Sequence, residues 1–282
     1  MSSTINIRYG STDIPLPTPT WGYTSTIDLP LWITKNDDKS YDTWDDGAGA
    51  TTYDRRSVSC VWLLNLADTN SLVDIFTNVA KGRGGDLTLK LGTNSGFYPF
   101  GPDRGDSGNF TVKLLSVNQK PSIGHPQDYF NVEVRLANTG SYPAYSLPDQ
   151  FTEGHLQIGT ISGLRYPQSM HLQNIQMATS AIQKNNSEVA SIDRSIDGDG
   201  SDCTLPLTLM QCNAAALINH LTATVRAGTV DIIPPANSYL FGRQNGSTAT
   251  YTCKWIQNQI SIINTNFNSF DFELNFHRIS QA

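Results

Sequence analysis

The chain has 282 residues, 38% of them hydrophobic and 16% charged, and carries a formal net charge of −6. This length allows about two domains with buried cores, and the lack of a Lys/Arg cluster excludes the basic footprint that a nucleic-acid-binding protein needs. No stretch approaches the roughly 18 apolar residues of a membrane span, and residues 1–6 lack the features of a signal peptide, so we expect cytoplasmic synthesis and no membrane contact.

A strand over residues 58–64 leads into the first amphipathic helix. The helix carries one apolar stripe with the i, i+3, i+4 spacing of a buried face. Thr69 or Asn70 is expected to cap its start, and Gly82 stands where a left-handed residue ends many helices. The stripe consists of Leu72, Ile75, Phe76, Val79 and Ala80.

Three further strands are predicted after this helix, over residues 86–91, 110–114 and 129–136. Each alternates apolar with polar side chains, so one face of each strand should point into a core. The predicted core side chains include Leu87, Leu89, Leu91, Phe130, Val132, Val134 and Leu136.

A turn-rich stretch containing Gly140, Pro143 and Pro148 follows these strands and predicts a linker. We place the first domain at residues 1–140, the linker at 141–154 and the second domain at 155–282.

The second domain repeats the pattern of the first. A second helix is predicted with Asn213 as its cap and with Arg226 and Gly228 at its end. A late strand alternates in the same way as residues 129–136. The apolar stripe of the helix consists of Ala214, Leu217, Ile218, Leu221 and Val225. The apolar face of the strand consists of Phe270, Phe272, Leu274 and Phe276.

Short sequence matches connect the two domains at an offset of about 140 residues, which drifts in one direction as loop insertions would make it do. Their common order along the chain predicts a tandem duplication. The matches pair residues 33–36 with 182–185, Cys60 with Cys203, 83–85 with 226–228, 100–101 with 241–242, 110–113 with 251–254, and 130–134 with 270–274.

The predicted fold class is mainly β with one helix per domain (α+β), as two tandem β-sandwiches or split barrels. Polar tracts over residues 36–52 and 183–202 interrupt the two domains. Loops of this length in a compact domain are usually functional or mobile. In a ring-forming protein they would be arms that cover a neighbouring subunit or become ordered on assembly.

No catalytic, cofactor or metal site emerges from the sequence. The five histidines lack metal-ligand spacing, the four cysteines form no CxxC pair and are expected to be free thiols, and residues 197–202 fail the calcium-loop pattern. No nucleophile elbow or phosphate loop is present. We therefore expect a non-enzymatic protein without a cofactor.

The segment from Cys60 to Gly92 resembles the core of tail-tube, distal-tail and baseplate-hub subunits of long-tailed bacteriophages. The resemblance lies in the strand with Trp62, the helix with Leu72 and Phe76, and the strand over residues 87–91. Domain two repeats the pattern, with Leu205 in the place of the tryptophan. The resemblance implies a structural subunit of the virion tail, assembled in the host cytoplasm, that contacts itself and other tail proteins around a channel through which DNA can pass.

Family members place six such domains in a ring, so a chain with two copies implies three chains per ring, a trimer of pseudo-sixfold shape. The alternative is a hexamer with one domain of each chain in the ring. Two other classes stay open. One is a carbohydrate- or receptor-binding module that uses Trp21, Trp32, Tyr41 and Trp44, and the other is a hydrolase with carboxylates between the domains.

Overall fold

The computed structural model describes residues 5–36, 40–45, 54–77, 85–123, 128–167, 173–174, 179–182, 191–194, 202–241, 243–244, 249–266 and 268–281. Over these residues the chain is mainly β, with a large antiparallel sheet and two α-helices, which confirms the mainly β prediction. No described helix has the length and apolar character needed to cross a membrane.

The first part of the chain carries nine strands and one helix among its described residues. They are β1 (Ile5–Tyr9), β2 (Thr12–Leu16), β3 (Thr24–Asp28), β4 (Leu31–Lys35), β5 (Tyr41–Asp45), β6 (Arg55–Asn65), α1 (Leu66–Ile75), β7 (Leu87–Leu91), β8 (Gly108–Pro121) and β9 (Tyr129–Asn138).

The second part follows after residues 139–155. Its elements are β10 (Leu156–Ile158), β11 (Ile161–Leu164), β12 (Gln173–Asn174), β13 (Thr179–Ile182), β14 (Ser191–Arg194), β15 (Asp202–Met210), α2 (Gln211–Asn219), β16 (Thr229–Ile233), β17 (Tyr239–Leu240), β18 (Arg243–Gln244), β19 (Tyr251–Trp255), β20 (Gln259–Asn266) and β21 (Ser269–Gln281).

Side-chain alternation explains why these segments form strands. The three leucines of β7 are buried and alternate with half-buried Thr88 and Lys90. In β21 the predicted apolar face is buried, while Asp271 and Glu273 point the other way. The apolar faces form two clusters, one around Trp62 in the first part and one around Trp255 in the second.

The same strand pairings occur in both parts. The hairpin β1–β2 pairs with β7 as β10–β11 pairs with β16. Strand β7 pairs with β8 as β16 pairs with β19. The last strands, β9 and β21, pair with the strands before the helices, β6 and β15. Strand β8 therefore corresponds to β19 and β20 together, because both run beside the last strand.

The register of these pairs agrees with the sequence repeat. Leu89 pairs with Phe110 in the first part, and Ile232 pairs with Tyr251 in the second. Before the helices, Leu64 pairs with Phe130 and Leu209 with Phe270.

The pairing corrects one detail of the repeat. Trp62 pairs with Val132, and Leu207 pairs with Phe272, the residue that the repeat matches to Val132. Leu207 therefore stands in the place of Trp62, and the expectation of Leu205 there was wrong.

Cys60 and Cys203 are also not equivalent. Cys60 pairs with Val134, whereas Cys203 pairs with Phe276. The repeat matches Val134 to Leu274, so the partner of Cys203 lies two residues further along β21. A shift of two residues keeps every side chain on the same face of a strand. Such a slip therefore leaves no trace in the apolar pattern from which the match was made.

Helix α1 begins earlier than predicted. Asn65 is its N-cap, and its Oδ1 accepts a hydrogen bond from the backbone N–H of Asp68 at 2.8 Å. The predicted cap at Thr69 or Asn70 was wrong, because β6 runs into the helix without a turn and its last residue, Asn65, takes the cap position. Leu72, Ile75 and Phe76 are buried as predicted, whereas Val79, Ala80 and Gly82 lie outside the described residues.

Helix α2 is capped by a distant residue instead of the predicted Asn213. Its N-cap is Met210, whose backbone N–H donates to Glu153 Oε1 at 3.0 Å. Asn213 lies inside the first turn and donates to the same carboxylate at 2.6 Å. A π-helical segment, His220–Val225, continues α2, and after it Arg226, not a glycine, adopts the positive φ of 42°. The predicted stripe is fully buried.

One strand of the first part joins the sheet of the second. Strand β3 pairs with β6 on one side and with β20 on the other, so a single sheet runs through the whole chain. Ile27, Leu29 and Leu31 belong to the core cluster of the second part for this reason. We call this β3–β20 contact the junction.

Candidate assembly surfaces

The hairpin β4–β5, which we call the arm, extends from the first part and lies on the second. Tyr41 Oη donates to Asp202 Oδ2 at 3.0 Å, and Thr43 Oγ1 donates to the carbonyl of Ala227 at 2.7 Å. Lys254 donates from its ammonium group to the carbonyl of Tyr41. The predicted arm thus covers the neighbouring half of its own chain, and the expectation of a loop over residues 36–52 was wrong where β5 forms a strand.

Asp202 is the charged centre of this contact. Besides Tyr41 it contacts His277, whose Nδ1 lies 2.7 Å from Oδ1, and Lys35 at 3.4 Å. Burial alone would raise the pKa of Asp202, but the hydrogen bonds from His277 and Tyr41 more than offset it, so the pKa is lowered. The anionic form of Asp202 therefore holds the arm.

A second ion pair ties the arm to the end of α2. Arg226 contacts Asp45 on the arm, with Nη2 3.0 Å from Oδ1, and Asp54 before β6, with Nη1 3.0 Å from Oδ1. Burial raises the pKa of Asp54, although Arg226 works against that rise. The guanidinium thus links residues of both parts in a site with little access to water.

A buried ion pair also joins β6 to the loop that contacts α2. Arg56 and Asp103 form two hydrogen bonds of 2.7 and 2.9 Å, and neither side chain is exposed. Residues Pro102–Arg104 form a 3-10 turn against α2, where Gln211 Nε2 donates to the carbonyl of Pro102 at 3.2 Å. The loop, the ion pair and the helix thus fix the first part against the second.

The junction leaves one matching strand edge uncovered. Residues 116–121 of β8 pair with β9, but no strand in the described part of the chain pairs with their other side. We call these residues the free edge. Leu115, which precedes it, is 53% exposed. An edge with unpaired backbone groups is a template for another strand.

The arm also carries two exposed aromatic side chains. Trp32 and Trp44 are directly opposite each other in the hairpin and are 57% and 47% exposed. Trp21 is exposed before β3. Tyr41, by contrast, packs its ring against His277 with centroids 4.8 Å apart. The predicted aromatic group is therefore divided, with a tryptophan pair on the surface and Tyr41 in the contact below it.

A groove of about 570 Å³ runs along the exposed face of β15, β20 and β21. Thr208, Gln259, Asp271, Glu273 and Asn275 line it together with Pro206, Ile263 and other apolar residues, so the groove is of mixed polarity and carries two carboxylates. Within the described residues no group of three or more His, Cys, Asp or Glu side chains could hold a metal. The carboxylates among them with a shifted pKa, Asp13, Asp54 and Asp202, all contact a basic or imidazole side chain.

Comparisons with known proteins give only distant likenesses. No family profile and no curated protein matches the chain. A chain from the virion of a native gene transfer agent particle is similar at 14% identity and a TM-score of 0.31, over 50% of this chain and 95% of its own. A chain from the tail of an empty gene transfer agent particle, refined with C6 helical symmetry, gives 14% and 0.31, over 51% and 96%. Neither likeness is close enough to define the fold or function.

Proposed function

We propose that the chain is a structural, non-enzymatic subunit of a bacteriophage-type tail and that it forms a ring around a central channel. The observation that carries the proposal is the junction. It joins two units with the same strand pairings edge to edge, and it leaves the matching edge of the first unit open. A contact that repeats head to tail closes into a ring when its rotation permits.

The recurring pairings support two tandem tube-like domains, at residues 1–140 and 155–282 with a linker at 141–154. Three chains would then supply six units and give the pseudo-sixfold trimer. Six chains with one unit each in the ring remain the alternative arrangement. No Lys or Arg is among the residues that line the groove on β15, β20 and β21, so this face suits a channel wall that offers DNA no cluster of positive charge. The proposed location is the virion tail, with other tail proteins as neighbours.

Native mass spectrometry of the purified chain, together with negative-stain microscopy, tests the proposal. Rings with a central hole and three copies of the chain are expected. Six copies per ring would replace the trimer by the hexamer, with the tail role retained. A chain that stays monomeric at every concentration and never forms rings or tubes would overturn the proposed function.

A second candidate function is supported by Trp32 and Trp44. Two exposed tryptophans side by side offer flat apolar rings on which a sugar can stack. The arm would then bind a receptor glycan. Titration of tryptophan fluorescence with oligosaccharides, comparing the chain with its Trp32→Ala and Trp44→Ala variants, separates the candidates. Saturable binding that both substitutions abolish would favour the receptor module, and its absence together with ring formation would favour the tail subunit.

A further inference from the structure

The junction shows how two units of this chain contact each other. Backbone N–H groups of Gly22 and Leu29 donate to the carbonyls of Asn264 and Asn258 at 2.8 Å, and the N–H of Asn264 donates to Tyr23 at 3.0 Å. Asn258 and Asn264 therefore point their backbone groups toward β3. Strand residues alternate in this respect, so Ile260 and Ile262 between them point the same way.

Side chains close the junction on its buried face. Ile260 pairs with Ile27, and Ile262 pairs with Ser25. All four side chains are buried. The junction thus combines a backbone ladder with an apolar contact, as strand addition to a sheet edge generally does.

The free edge of β8 is the counterpart of β20. Gln119 pairs with Val132 on β9, as Ile262 pairs with Phe272 on β21. Val117 therefore corresponds to Ile260 and Gln119 to Ile262. Val117 is half-buried and Gln119 exposed, because no strand of the described chain lies beside them.

The second unit contains the counterpart of β3. Strand β12 pairs with β15 through Gln173 and Cys203, as β3 pairs with β6 through Ser25 and Val58. In the sequence, Ile175 and Met177 follow at the spacing of Ile27 and Leu29. Within the described residues, no strand lies beside the free edge of β8, and none lies beside β12 on the side away from β15.

On this basis, and resting on the proposed function, we propose that the free edge binds β12 of a second copy of this chain. The pairing repeats the junction, so Gln119 of one copy lies opposite Gln173 of the next, as Ile262 lies opposite Ser25. The contact is head to tail, with different surfaces on the two copies. Lys120 and Pro121 lie at the end of the edge and disfavour pairing with unrelated strands. A charged side chain makes an edge a poor partner for another sheet, and proline lacks the backbone N–H that a ladder needs.

Disulfide trapping between two variants that each carry one introduced cysteine tests both the partner and the register. Both are made in the full chain with Cys212→Ser and Cys203→Ser, because Cys212 is the partly exposed native thiol and Cys203 pairs directly with Gln173. One carries Gln119→Cys and the other Gln173→Cys. After mixing and mild oxidation, a covalent dimer should form that requires both variants. Asn174→Cys in place of Gln173→Cys is the matched control, since successive positions of a strand alternate between its two faces.

A second pair of variants tests the side-chain contact. Val117→Lys puts a charge into the apolar contact and should raise the concentration for half-assembly at least tenfold. Asn118→Lys adds the same charge to the next residue, on the other face of the strand, and should leave assembly within about twofold. Circular dichroism of both variants confirms that any loss is not unfolding.

The outcomes separate this proposal from the proposed function. Rings that form without the Gln119–Gln173 cross-link, and that Val117→Lys leaves unchanged, would overturn the edge contact but keep the ring subunit. A cross-link at Asn174 instead would overturn the register and with it the equivalence to the junction. The absence of both rings and cross-links would overturn the two proposals together.

Discussion

The two halves of the chain use the same strand pairings but treat the same edge differently. On β20 the two residues that correspond to Val117 and Gln119 are isoleucines, and β3 covers them. Beside β8 the residues are a half-buried valine and an exposed glutamine. An edge that is always covered within the chain can be fully apolar. On the proposed contact, the edge of β8 stays exposed until a second copy binds, and a valine and a glutamine suit that exposure better than two isoleucines.

The largest expected effect comes from the buried pair Arg56–Asp103, which joins β6 to the loop that contacts α2. Asp103→Ala leaves an uncompensated buried charge and should lower the free energy of unfolding by roughly 3–5 kcal/mol. Urea denaturation followed by circular dichroism measures the loss. A single transition is expected, since the loop contacts both halves. Two separate transitions would show that the halves unfold independently.

The exposed pair Arg8–Asp13 is the matched control for this substitution. Its two side chains are 41% and 37% exposed, so water screens the charges. Asp13→Ala should therefore leave the denaturation midpoint nearly unchanged. A loss as large as that of Asp103→Ala would refute the role of burial.

The helix cores allow the halves to be compared directly. Phe76 on α1 and Leu221 in the turn after α2 are both fully buried. Truncation to alanine should cost about 3–5 kcal/mol for Phe76 and about 2–5 kcal/mol for Leu221. Asp74→Ala on the exposed side of α1 is the control and should have little effect. If Phe76→Ala left thermal unfolding unchanged but prevented assembly, the stripe of α1 would be an interface.

A smaller effect is expected at the arm, through Asp202. Because the pKa of Asp202 is lowered in the folded chain, the ionised carboxylate stabilises the fold above the unfolded pKa of about 3.9. This stabilisation is lost as the pH falls through the lower, folded pKa. The stability difference between the chain and Asp202→Asn should therefore be full at pH 6 and shrink below pH 4. Denaturation at several pH values measures it, and a constant difference would contradict the assignment.

The smallest effect is expected from modification of the cysteines with a thiol reagent, because in the folded chain this reaction should leave the fold unchanged. Burial raises the pKa of Cys203 to about 12 and raises the pKa values of Cys60 and Cys253 as well. Because the thiolate is the reactive form, these three should react with a thiol reagent only after unfolding. The native chain should show one fast thiol, Cys212, and the denatured chain four. Cys212→Ser should remove the fast phase.

Much of the fold follows from local patterns in the sequence. The alternation in β7, β9 and β21 and the described residues of both helix stripes were predicted correctly, because period and polarity depend only on neighbouring residues. The caps were harder to predict, since Glu153 reaches α2 from far along the chain. The strand β3 was missed altogether. Nothing in residues 24–28 indicates that their partner lies beyond residue 258.

The sequence predicted which kinds of surface the chain has, but not the contacts that these surfaces make. The sequence repeat indicated two like units, and the polar tract over residues 36–52 indicated an arm. It did not indicate that the arm folds back onto its own chain, because that contact depends on Asp202 and Arg226, which are distant in sequence from Tyr41 and Asp45. The free edge is visible only once the pairing of β8 is known, since an unpaired strand side has no pattern of its own.

The junction also determines when the fold can be completed during synthesis. Asp28 and Gln259, which pair across it, are separated by 231 residues. At a typical elongation rate of about 5–20 residues per second, β3 emerges from the ribosome more than ten seconds before β20. The outer side of β3 therefore has no partner while most of the chain is made, and contacts of such long range slow folding. Strand β3 is therefore covered only after the last strands have been made. In a chain truncated before β20 its outer side would stay exposed.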